Sequence, residues 1–159
     1  MSDKVMVQAA VMVLLREDAG QIETYLTKRP ATFRTYPGRY VFPGGTMEMN
    51  DSDHLDCAIR EALEEVGICL KRADVFFLSE NHVDHYLDDI QYHVFSYAAK
   101  MPDDQVITLN PDEVEEGLWL RPNDCLQKEK ESKMSLTKIT RRNLRMLLDY
   151  KTLDEVFRK

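Results

Sequence analysis

The chain carries a dense acidic stretch, Arg60-Glu61-Ala62-Leu63-Glu64-Glu65-Val66-Gly67-Ile68. On a helix, Glu61, Glu64 and Glu65 fall at positions i, i+3 and i+4, so their carboxylates share one face within a single turn. Like charges this close destabilise a helix by roughly a few tenths of a kcal/mol per pair. A divalent cation among them would offset that repulsion, because hard cations prefer carboxylate oxygens. The stretch therefore predicts either a cation site or a solvated acidic helix face.

The acidic stretch closes an amphipathic pattern that predicts a helix over residues 52–66. Asp51 or Ser52 can cap its start, and Asp53 in the first turn suits the helix dipole. Gly67 is well placed to stop the helix. The apolar residues with helical spacing are Leu55, Ala58, Ile59, Ala62, Leu63 and Val66. The three glutamates centre on the opposite side of the helical wheel, so we expect one buried face and one face that presents the carboxylates.

A basic, irregular segment precedes this helix. Its cations are Lys28, Arg29, Arg34 and Arg39, and they lie in a window, residues 24–47, that contains no acidic residue. The pattern is typical either of a solvated loop or of an anion clamp. Arginine is favoured in a clamp because its planar guanidinium matches the oxygens of a phosphate.

A short strand, Tyr40-Val41-Phe42, is predicted at the end of the basic segment, where Pro43-Gly44-Gly45 follows it. Paired glycines allow the backbone to turn sharply and to approach a ligand or a metal closely. The glycine pair therefore predicts a close backbone contact at a binding site between the basic segment and the acidic helix.

The rest of the pattern predicts one α/β domain over residues 1–159, without an internal repeat. Strands are expected at 5–15, 22–28, 74–79, 90–99 and 118–120, the first two as a hairpin. A helical segment is expected to start at Pro122, and an amphipathic helix is expected over about 135–150, with a basic face that we interpret as solvated. Residues 80–89 are expected to be a loop, and residues 102–110 a loop or an edge segment. In the first of them, His82 and His85 are either ordinary loop residues or metal ligands.

The composition indicates an ordinary globular chain. It has 159 residues, 43% hydrophobic and 31% charged, with a formal net charge of -7. That charge makes long nucleic acids unexpected partners, although a local basic patch or a bound metal still admits small anionic substrates. No apolar run reaches transmembrane length, and the start of the chain has no secretory apolar region. The cysteines are three in number and widely spaced, which favours a reducing compartment. We expect a cytoplasmic protein, for which a homodimer is one possible state.

Gly45 together with Arg60-Glu61-x-x-Glu64-Glu65-x-Gly67-Ile68 resembles the Nudix box, G-x5-E-x7-R-E-U-x-E-E-x-G-U, in which U is aliphatic. Two features depart from the usual form. Asp51 stands at the first glutamate position, and eight residues instead of seven separate it from Arg60. An extended box of this kind, with Asp at that position, resembles that of coenzyme A pyrophosphatases within the family.

The sequence upstream of the box is also similar to that subfamily, whose signature has the form L-L-T-x-R-S-x3-R-x3-G-x3-F-P-G-G. The corresponding residues here are Tyr25-Leu26-Thr27-Lys28-Arg29-Pro30, Arg34, Gly38 and Phe42-Pro43-Gly44-Gly45. The spacing agrees throughout, whereas Tyr25 and Pro30 replace a leucine and a serine. The specific motifs of the resemblance cover residues 25–68.

The resemblance implies a Nudix α/β/α sandwich with a mixed sheet, and metal-dependent hydrolysis of a nucleoside diphosphate linked to another group. Mg²⁺ or Mn²⁺ would be the cofactor, with Glu61 and Glu65 as principal ligands. Glu64 would complete the set directly or through water, and the carbonyl of Gly45 would add a further ligand. Arg60 is expected to orient the glutamates rather than to contact the substrate.

The resemblance also implies a catalytic glutamate shortly before the only tryptophan, as in MutT-like relatives. Glu113 is the candidate general base, and Glu115 and Glu116 are alternatives that the sequence does not rank. For the small nucleotide-derived substrate, Arg29, Arg34 and Arg39 are predicted to hold the phosphates. The side chains that could stack on a base are Phe33, Tyr36 and Tyr86.

Several functions therefore stay open at this point. Coenzyme A is the favoured substrate, ADP-ribose or another nucleoside diphosphate derivative is the second, and the 5′ end of RNA is the third. A nucleotide-sensing Nudix domain without catalysis is the alternative class. It is disfavoured because the glutamates are all present, and because a chain of 159 residues is expected to hold no effector domain. A plain globular domain would make the Gly44-Gly45 pair, Arg60 and Gly67 coincidental.

Overall fold

The apolar run at the start of the chain forms the central strand of a mixed β-sheet. A computed structural model of the protein describes residues 4–85 and 89–158. Strand β1 (Val5–Asp18) lies parallel to β6 (Ile90–Lys100) along the whole apolar run. The strand predicted at 5–15 is confirmed, and it extends to Asp18 because its end pairs with the next strand.

Two different strands share the other edge of β1. The end of β1 forms the predicted hairpin with β2 (Gln21–Lys28), through a turn in which Ala19 and Gly20 both have positive φ, 51° and 75°. Two-residue hairpin turns require this conformation. The middle of β1 pairs instead with β4 (Gly44–Thr46). The glycine pair is therefore an extended strand, and the sharp turn predicted there is wrong, because the backbone of β4 is bound to β1.

The remaining strands are β3 (Tyr40–Val41), β5 (Val75–Asp84) and β7 (Glu116–Leu120). The helices are α1 (His54–Val66), α2 (Pro122–Lys130), α3 (Lys138–Leu147) and α4 (Leu153–Phe157), and a 3-10 turn spans Arg72–Asp74. Within the described residues the sheet has the order β3-β2-β1-β6-β5, with β4 beside β1 and β7 beside β2. Only the β1–β6 pair is parallel among these pairings.

Alternating side chains of β1 build two cores, one on each face of the sheet. Met12 and Leu14 pack with α1 on one face, and Val13 and Leu15 pack with α2, α3 and α4 on the other. All four side chains are completely buried. The result is the predicted α/β/α sandwich with a mixed sheet. None of the helices in the described part of the chain has the length and apolar character of a membrane span.

Helix α1 begins two residues later than predicted, at His54. Its N-cap is Asp53, whose carboxylate accepts a hydrogen bond from the Asp56 amide at 2.9 Å. The prediction that Asp51 or Ser52 caps the helix is therefore wrong, and Asp51 binds Arg60 instead. The predicted stop is confirmed, because Gly67 adopts the left-handed conformation at φ 71°.

The buried face of α1 differs from the one that the apolar pattern predicts. Leu63 is 52% exposed, whereas Glu61 is 8% exposed. Glu65 is half-buried, and among the three glutamates only Glu64 is exposed. The prediction of a solvent-facing carboxylate side is thus wrong for Glu61 and Glu65. The physical reason is that β4 packs over this side of the helix and makes contact with both carboxylates.

Three later elements differ from the sequence-based expectation. Strand β5 continues to Asp84 because it pairs with β6, so His82 lies in a strand and not in a loop. Helix α3 spans Lys138–Leu147 and is shorter than predicted, because the preceding residue Leu136 pairs with Tyr40 in an isolated bridge. Helix α4 was not predicted, and Leu153 and Val156 bury it against the core.

Candidate active site

Three carboxylates converge beside α1. Glu61 and Glu64 come from the helix and Glu113 from the segment that follows β6, and one oxygen of each lies within 4.8 Å of the others. The segment reaches this position because it binds the end of the helix. The Thr108 and Asn110 amides donate to the carbonyls of Val66 and Glu65, both at 2.9 Å. These carbonyls have no partner within the helix itself.

Glu65 lies beside this cluster, held by strand β4. Its Oε2 accepts a hydrogen bond from the Gly44 amide at 3.0 Å. Burial is the main reason why the pKa of the Glu65 carboxyl lies well above its usual range, and the charge of Glu61 adds to the rise. The Gly44 amide and the positive charge of Arg29 act in the opposite direction. Glu65 is therefore a desolvated acid whose charge needs compensation.

A side chain larger than hydrogen does not fit at Gly44 or Gly45 unless its neighbours move, because other atoms lie close to the β4 backbone on both sides. A Cβ on Gly45 would lie 2.5 Å from Oε1 of Glu61, and a Cβ on Gly44 would lie 2.5 Å from the carbonyl oxygen of Ala10. The Gly45 carbonyl also accepts a hydrogen bond from the Cys57 thiol, at 3.4 Å between sulfur and oxygen. A carbonyl oxygen has a second lone pair, so this contact leaves it able to bind a cation.

Arg60 connects the carboxylates to one another. Its guanidinium donates to both oxygens of Asp51, at 3.0 and 2.8 Å. It also donates to Glu61 at 3.0 Å and to Glu64 at 3.1 Å. The Asp51 side chain is 3% exposed, and its hydrogen bonds to Arg60 are the main reason why its pKa is lowered. The orienting role of Arg60 stays a prediction, and Arg60 would exert it through its hydrogen bonds to Glu61 and Glu64.

The acids at this site are poorly solvated and repel one another. Burial raises the pKa of Glu61 to about 7, although Arg60 opposes the rise. Burial also raises the pKa of Glu113, and the charge of Glu64 contributes. A group of carboxylates and a nearby carbonyl is a set of hard oxygen donors. These residues therefore fit Mg²⁺ or Mn²⁺ in both ligand chemistry and charge.

We expect the metal-free protein to lose stability as the pH rises from about 4.5 to about 7. In that window the folded state keeps a proton on Glu61 that the unfolded state has released, so the free energy of unfolding falls with rising pH. The contribution of this group is on the order of 3 kcal/mol. Chemical denaturation at several pH values measures it, and saturating Mg²⁺ should remove most of the loss.

Glu61→Gln is the control, since its new side chain cannot titrate. Its free energy of unfolding should therefore fall less steeply with rising pH. The assignment to Glu61 would be contradicted if the free energy of unfolding fell as steeply with pH in Glu61→Gln as in the wild type. It would also be contradicted if Mg²⁺ did not reduce the loss of stability.

A cavity of about 500 Å³ lies on the α3 side of the sheet. Its floor includes Val11 and Val94, and Gly44 and Gly45 line it where β4 meets the carboxylates. This volume is within the range of small-molecule sites, ~300–1,000 Å³. Its lining also includes Arg29, Tyr36 and Arg39 from the basic segment, Val83 and Asp84 from β5, and Lys138 from α3. The cavity therefore brings cations next to the acidic cluster.

The structure brings two of the three predicted phosphate-binding arginines to this cavity. Arg29 is held by Thr35, to whose carbonyl and hydroxyl oxygens it donates, both at 2.9 Å. The Arg39 guanidinium lies 5.5 Å from the centre of the Tyr36 ring. Arg34 is exposed on the segment and is not among the described residues that line the cavity.

The predicted stacking residues have different positions. Tyr36 lines the cavity, with its backbone at a positive φ of 49°. The Phe33 ring lies under the Arg29 guanidinium, at 4.9 Å. Tyr86 lies outside the described residues.

The structure separates the three candidates for the general base. Glu115 forms an ion pair with Lys28 at 3.5 Å, and Glu116 accepts a hydrogen bond from the Tyr40 hydroxyl. Glu113 alone of the three belongs to the carboxylate cluster of the described residues. The three carboxylates therefore have different partners, although they lie within four residues of one another.

His82 and His85 do not act as a pair. His82 stacks on His93 across the strands, with ring centres 4.3 Å apart. His85 is buried after the end of β5, where its ring centre lies 5.4 Å from that of Tyr36. Neither histidine belongs to the metal-type cluster found in the described residues.

Sequence reasoning missed Lys138 as a residue of the cavity. It belongs to the basic face of α3 that was interpreted as solvated, and no motif singles it out. A larger, more open depression of about 940 Å³ lies elsewhere, beside Trp119. Its lining combines Arg16 and Lys100 with three acidic residues, Glu17, Asp103 and Asp154. The cations of the smaller cavity outnumber its single acidic residue, so the smaller cavity beside the carboxylate cluster is the better site for an anionic substrate.

A mixed sheet between two helical layers, with a glycine strand packed on a carboxylate-bearing helix, defines an α/β/α sandwich protein with an acidic cation-type site. The family model described as the NUDIX domain matches residues 6–141. The chain therefore belongs to the Nudix hydrolase family, whose members act on pyrophosphate bonds and generally need a divalent metal.

Individual relatives agree with this assignment. The chain is 32% identical over 150 residues to the chloroplastic Nudix hydrolase 22 of Arabidopsis thaliana, covering 92% of this chain and 48% of that protein. It is 40% identical over 62 residues to the peroxisomal coenzyme A diphosphatase ndx-8 of Caenorhabditis elegans, covering 38% of this chain and 26% of that protein. The crystal structure of a NUDIX hydrolase from Alicyclobacillus acidocaldarius superimposes with a TM-score of 0.84 at 16% identity, covering 99% and 98% of the two chains.

The chain spans about half or less of the length of the curated relatives that it matches. Those relatives include chloroplastic and peroxisomal proteins, so a cytoplasmic location stays a prediction.

Proposed function

We propose that this protein hydrolyses the pyrophosphate bond of a nucleoside diphosphate linked to another group, and that coenzyme A is its substrate. The observation that carries the proposal is the junction at β4. Gly44 and Gly45 contact Glu65 and Glu61 and also line the cavity that contains Arg29. An acidic cation-type site next to a basic cavity suits a diphosphate, whose hydrolysis depends on positioning and on stabilisation of charge.

Glu61, Glu64 and Glu65 would hold Mg²⁺ or Mn²⁺, together with the Gly45 carbonyl. The bound cation would stabilise negative charge on the diphosphate and lower the pKa of a bound water. Arg60, through its hydrogen bonds to Glu61 and Glu64, would keep these carboxylates oriented. The ligand positions would thus be preorganised by contacts within α1.

Glu113 would act as the general base. Its carboxylate would take a proton from the water that attacks phosphorus, while the bond from phosphorus to the bridging oxygen breaks. Its raised pKa brings it closer to neutral pH, where a base is most effective. Arg29 and Arg39, which line the cavity, would hold the phosphate oxygens. The products from coenzyme A would be 4′-phosphopantetheine and adenosine 3′,5′-bisphosphate.

Coenzyme A is favoured over other nucleotides by the extended box and by the upstream pattern in residues 25–45. The similarity to the coenzyme A diphosphatase of Caenorhabditis elegans supports the same choice. The presence of all three helix glutamates favours an enzyme over a sensing domain.

A substrate panel with Mg²⁺ and with Mn²⁺ tests the proposal. It should contain coenzyme A, ADP-ribose, a dinucleoside polyphosphate, a nucleoside triphosphate and RNA with a 5′-triphosphate. We expect coenzyme A to give the highest kcat/KM and to yield phosphopantetheine. Cleavage of ADP-ribose without cleavage of coenzyme A would overturn the choice of substrate, and no metal-dependent cleavage of any compound would overturn the enzymatic proposal.

Glu113→Gln should lower kcat by about a hundredfold or more, because a general base contributes typically ~10²–10⁴-fold. The matched variant Glu115→Gln loses only its exposed ion pair with Lys28 and should keep near wild-type turnover. Steady-state kinetics of both variants on the best substrate distinguish the two positions. A larger loss in Glu115→Gln than in Glu113→Gln would contradict the assignment of the base.

A further inference from the structure

Glu113 lies on a tight turn that begins at Asn110. The Asn110 carbonyl accepts hydrogen bonds from the amides of Glu113, at 3.1 Å, and of Val114, at 2.9 Å. The first of these bonds closes a β-turn that has Pro111 in its second position, where the fixed φ of proline is favoured. The proposed general base is therefore the last residue of this turn.

The Asn110 side chain adds a hydrogen bond within the same turn. Its Oδ1 accepts from the Asp112 amide at 3.1 Å, which is the contact that defines an Asx turn. Asp112 directly precedes Glu113, and its own side chain is exposed. A single side chain, that of Asn110, thus fixes the backbone immediately before the proposed base.

The turn is anchored on both sides. Before it, the Asn110 amide donates to the backbone carbonyl of Glu65, a proposed metal ligand, at 2.9 Å. After it, Val114 is buried, with 4% of its surface exposed. Asn110 is therefore bonded both to a helix residue of the acidic site and to the amide of Glu113. Its conformation relates the position of the proposed base to that of the metal ligands.

The Glu113 carboxylate depends on this backbone for its position. One of its oxygens lies within 4.8 Å of oxygens of Glu61 and Glu64, and the charge of Glu64 repels it. In the part of the chain that the structure describes, the carboxylate has neither a hydrogen bond nor an ion pair with a protein group. A base without side-chain partners keeps its place beside the metal ligands only if the turn holds its backbone.

We propose that Asn110 is a positioning residue for Glu113, which it holds beside the metal ligands through its Asx turn. The inference rests on the proposed function, in which Glu113 is the general base. Asn110 is not among the described residues that line the cavity, so we assign it no contact with the substrate. It acts on the reaction through Glu113, whose carboxylate has to keep one distance from the attacking water.

Asn110→Ala removes the Asx turn and leaves the backbone hydrogen bonds of the residue in place. With the substrate that the protein cleaves best, we expect kcat to fall by about tenfold, which is less than the ~10²-fold that a displacement of about 1 Å can cost. KM and the dependence on Mg²⁺ concentration should stay unchanged. Asn110→Ser should recover part of the loss, because a hydroxyl group forms the same turn more weakly. An unchanged kcat in Asn110→Ala, or a loss that appears in KM or in the Mg²⁺ dependence, would overturn the inference.

Gln105→Met is the matched control, because Gln105 anchors the same segment further from Glu113. Its side chain accepts a hydrogen bond from the Cys69 amide at 2.7 Å and donates to the Cys69 carbonyl at 2.8 Å. The variant loses two hydrogen bonds instead of one, so its midpoint of thermal unfolding should fall at least as far as that of Asn110→Ala. Its kcat should nevertheless stay within about twofold of the wild type. An equal loss of kcat in the two variants would overturn the assignment to Asn110.

A double-mutant cycle with Glu113→Gln separates positioning from a general structural effect. If Asn110 acts through Glu113, Asn110→Ala should lower kcat by no more than about twofold once Glu113 is replaced. An equal loss of kcat with and without Glu113 would overturn the inference. Wild-type kcat in Glu113→Gln would refute the proposed base and this inference with it, whereas a loss of kcat in Glu113→Gln alone would refute only the inference.

Discussion

Glu65→Gln should reduce Mg²⁺-dependent turnover by more than about a hundredfold, since replacing even the partners of metal ligands typically costs ~10–100-fold. Glu65 is predicted to be a principal ligand, and the substitution removes its charge while retaining its shape. The amide oxygen of Gln can still accept the hydrogen bond from the Gly44 amide, so the fold should be preserved. Steady-state kinetics over a range of Mg²⁺ concentrations measure the effect.

The stability of the same variant provides a second measurement. Without metal, Glu65→Gln should unfold with a free energy equal to or higher than that of the wild type, because Gln avoids the cost of desolvating a carboxyl group whose pKa is raised in the folded state. Added Mg²⁺ should stabilise it less than the wild type, since a ligand stabilises only the state that binds it. Glu131→Gln, at an exposed position after α2, is the control and should behave as the wild type. Full activity of Glu65→Gln would refute the assignment.

Gly45→Ala should retain the fold and lose about a hundredfold in turnover. Its Cβ would lie 2.5 Å from Oε1 of Glu61, and that carboxylate ends a flexible side chain that can move aside. Moving a predicted metal ligand by about 1 Å can cost ~10²-fold in rate. Circular dichroism should be unchanged, and the kinetics should show the loss. Wild-type turnover in Gly45→Ala would contradict a catalytic position for Glu61.

Gly44→Ala is the matched variant, with the opposite expected result. Its Cβ would lie 2.5 Å from the Ala10 carbonyl oxygen and 2.8 Å from the Val11 Cα, and neither backbone atom can move without disturbing β1. We expect a loss of stability of about 1–3 kcal/mol or more from this overpacking. The midpoint of thermal unfolding should therefore fall in Gly44→Ala more than in Gly45→Ala. The reverse order would mean that β4 is held differently from the arrangement described above.

Much of the fold follows from local patterns in the sequence. The apolar run of β1, the helical spacing before Gly67 and the tryptophan strand β7 all appear at the predicted places. Each of these signals depends on neighbouring residues in one element, which is why spacing alone predicts it. The same holds for Glu61, Glu64 and Glu65, whose separation by three and four residues brings them to one region of a helix.

The environment of these residues could not be predicted in the same way. The helical wheel places Glu61 on the solvent side, yet β4 covers it, because a strand without Cβ atoms can approach the helix closely. Likewise, the acidic run before β7 offers three equivalent candidates in sequence. Only the path of the segment along the end of α1 brings Glu113 to the cluster, whereas Glu115 is drawn to Lys28.

The sequence by itself determined most of the helices and strands, the Nudix box and the presence of a basic segment before an acidic helix. The tertiary structure decided which of those charges meet. Arg29 and Arg39 line the cavity while Arg34 does not, and Lys138, distant in sequence, joins them. The physical reason is that a motif specifies residues within one element, whereas a cavity is formed where separate elements pack, and that packing depends on contacts between residues far apart in the chain.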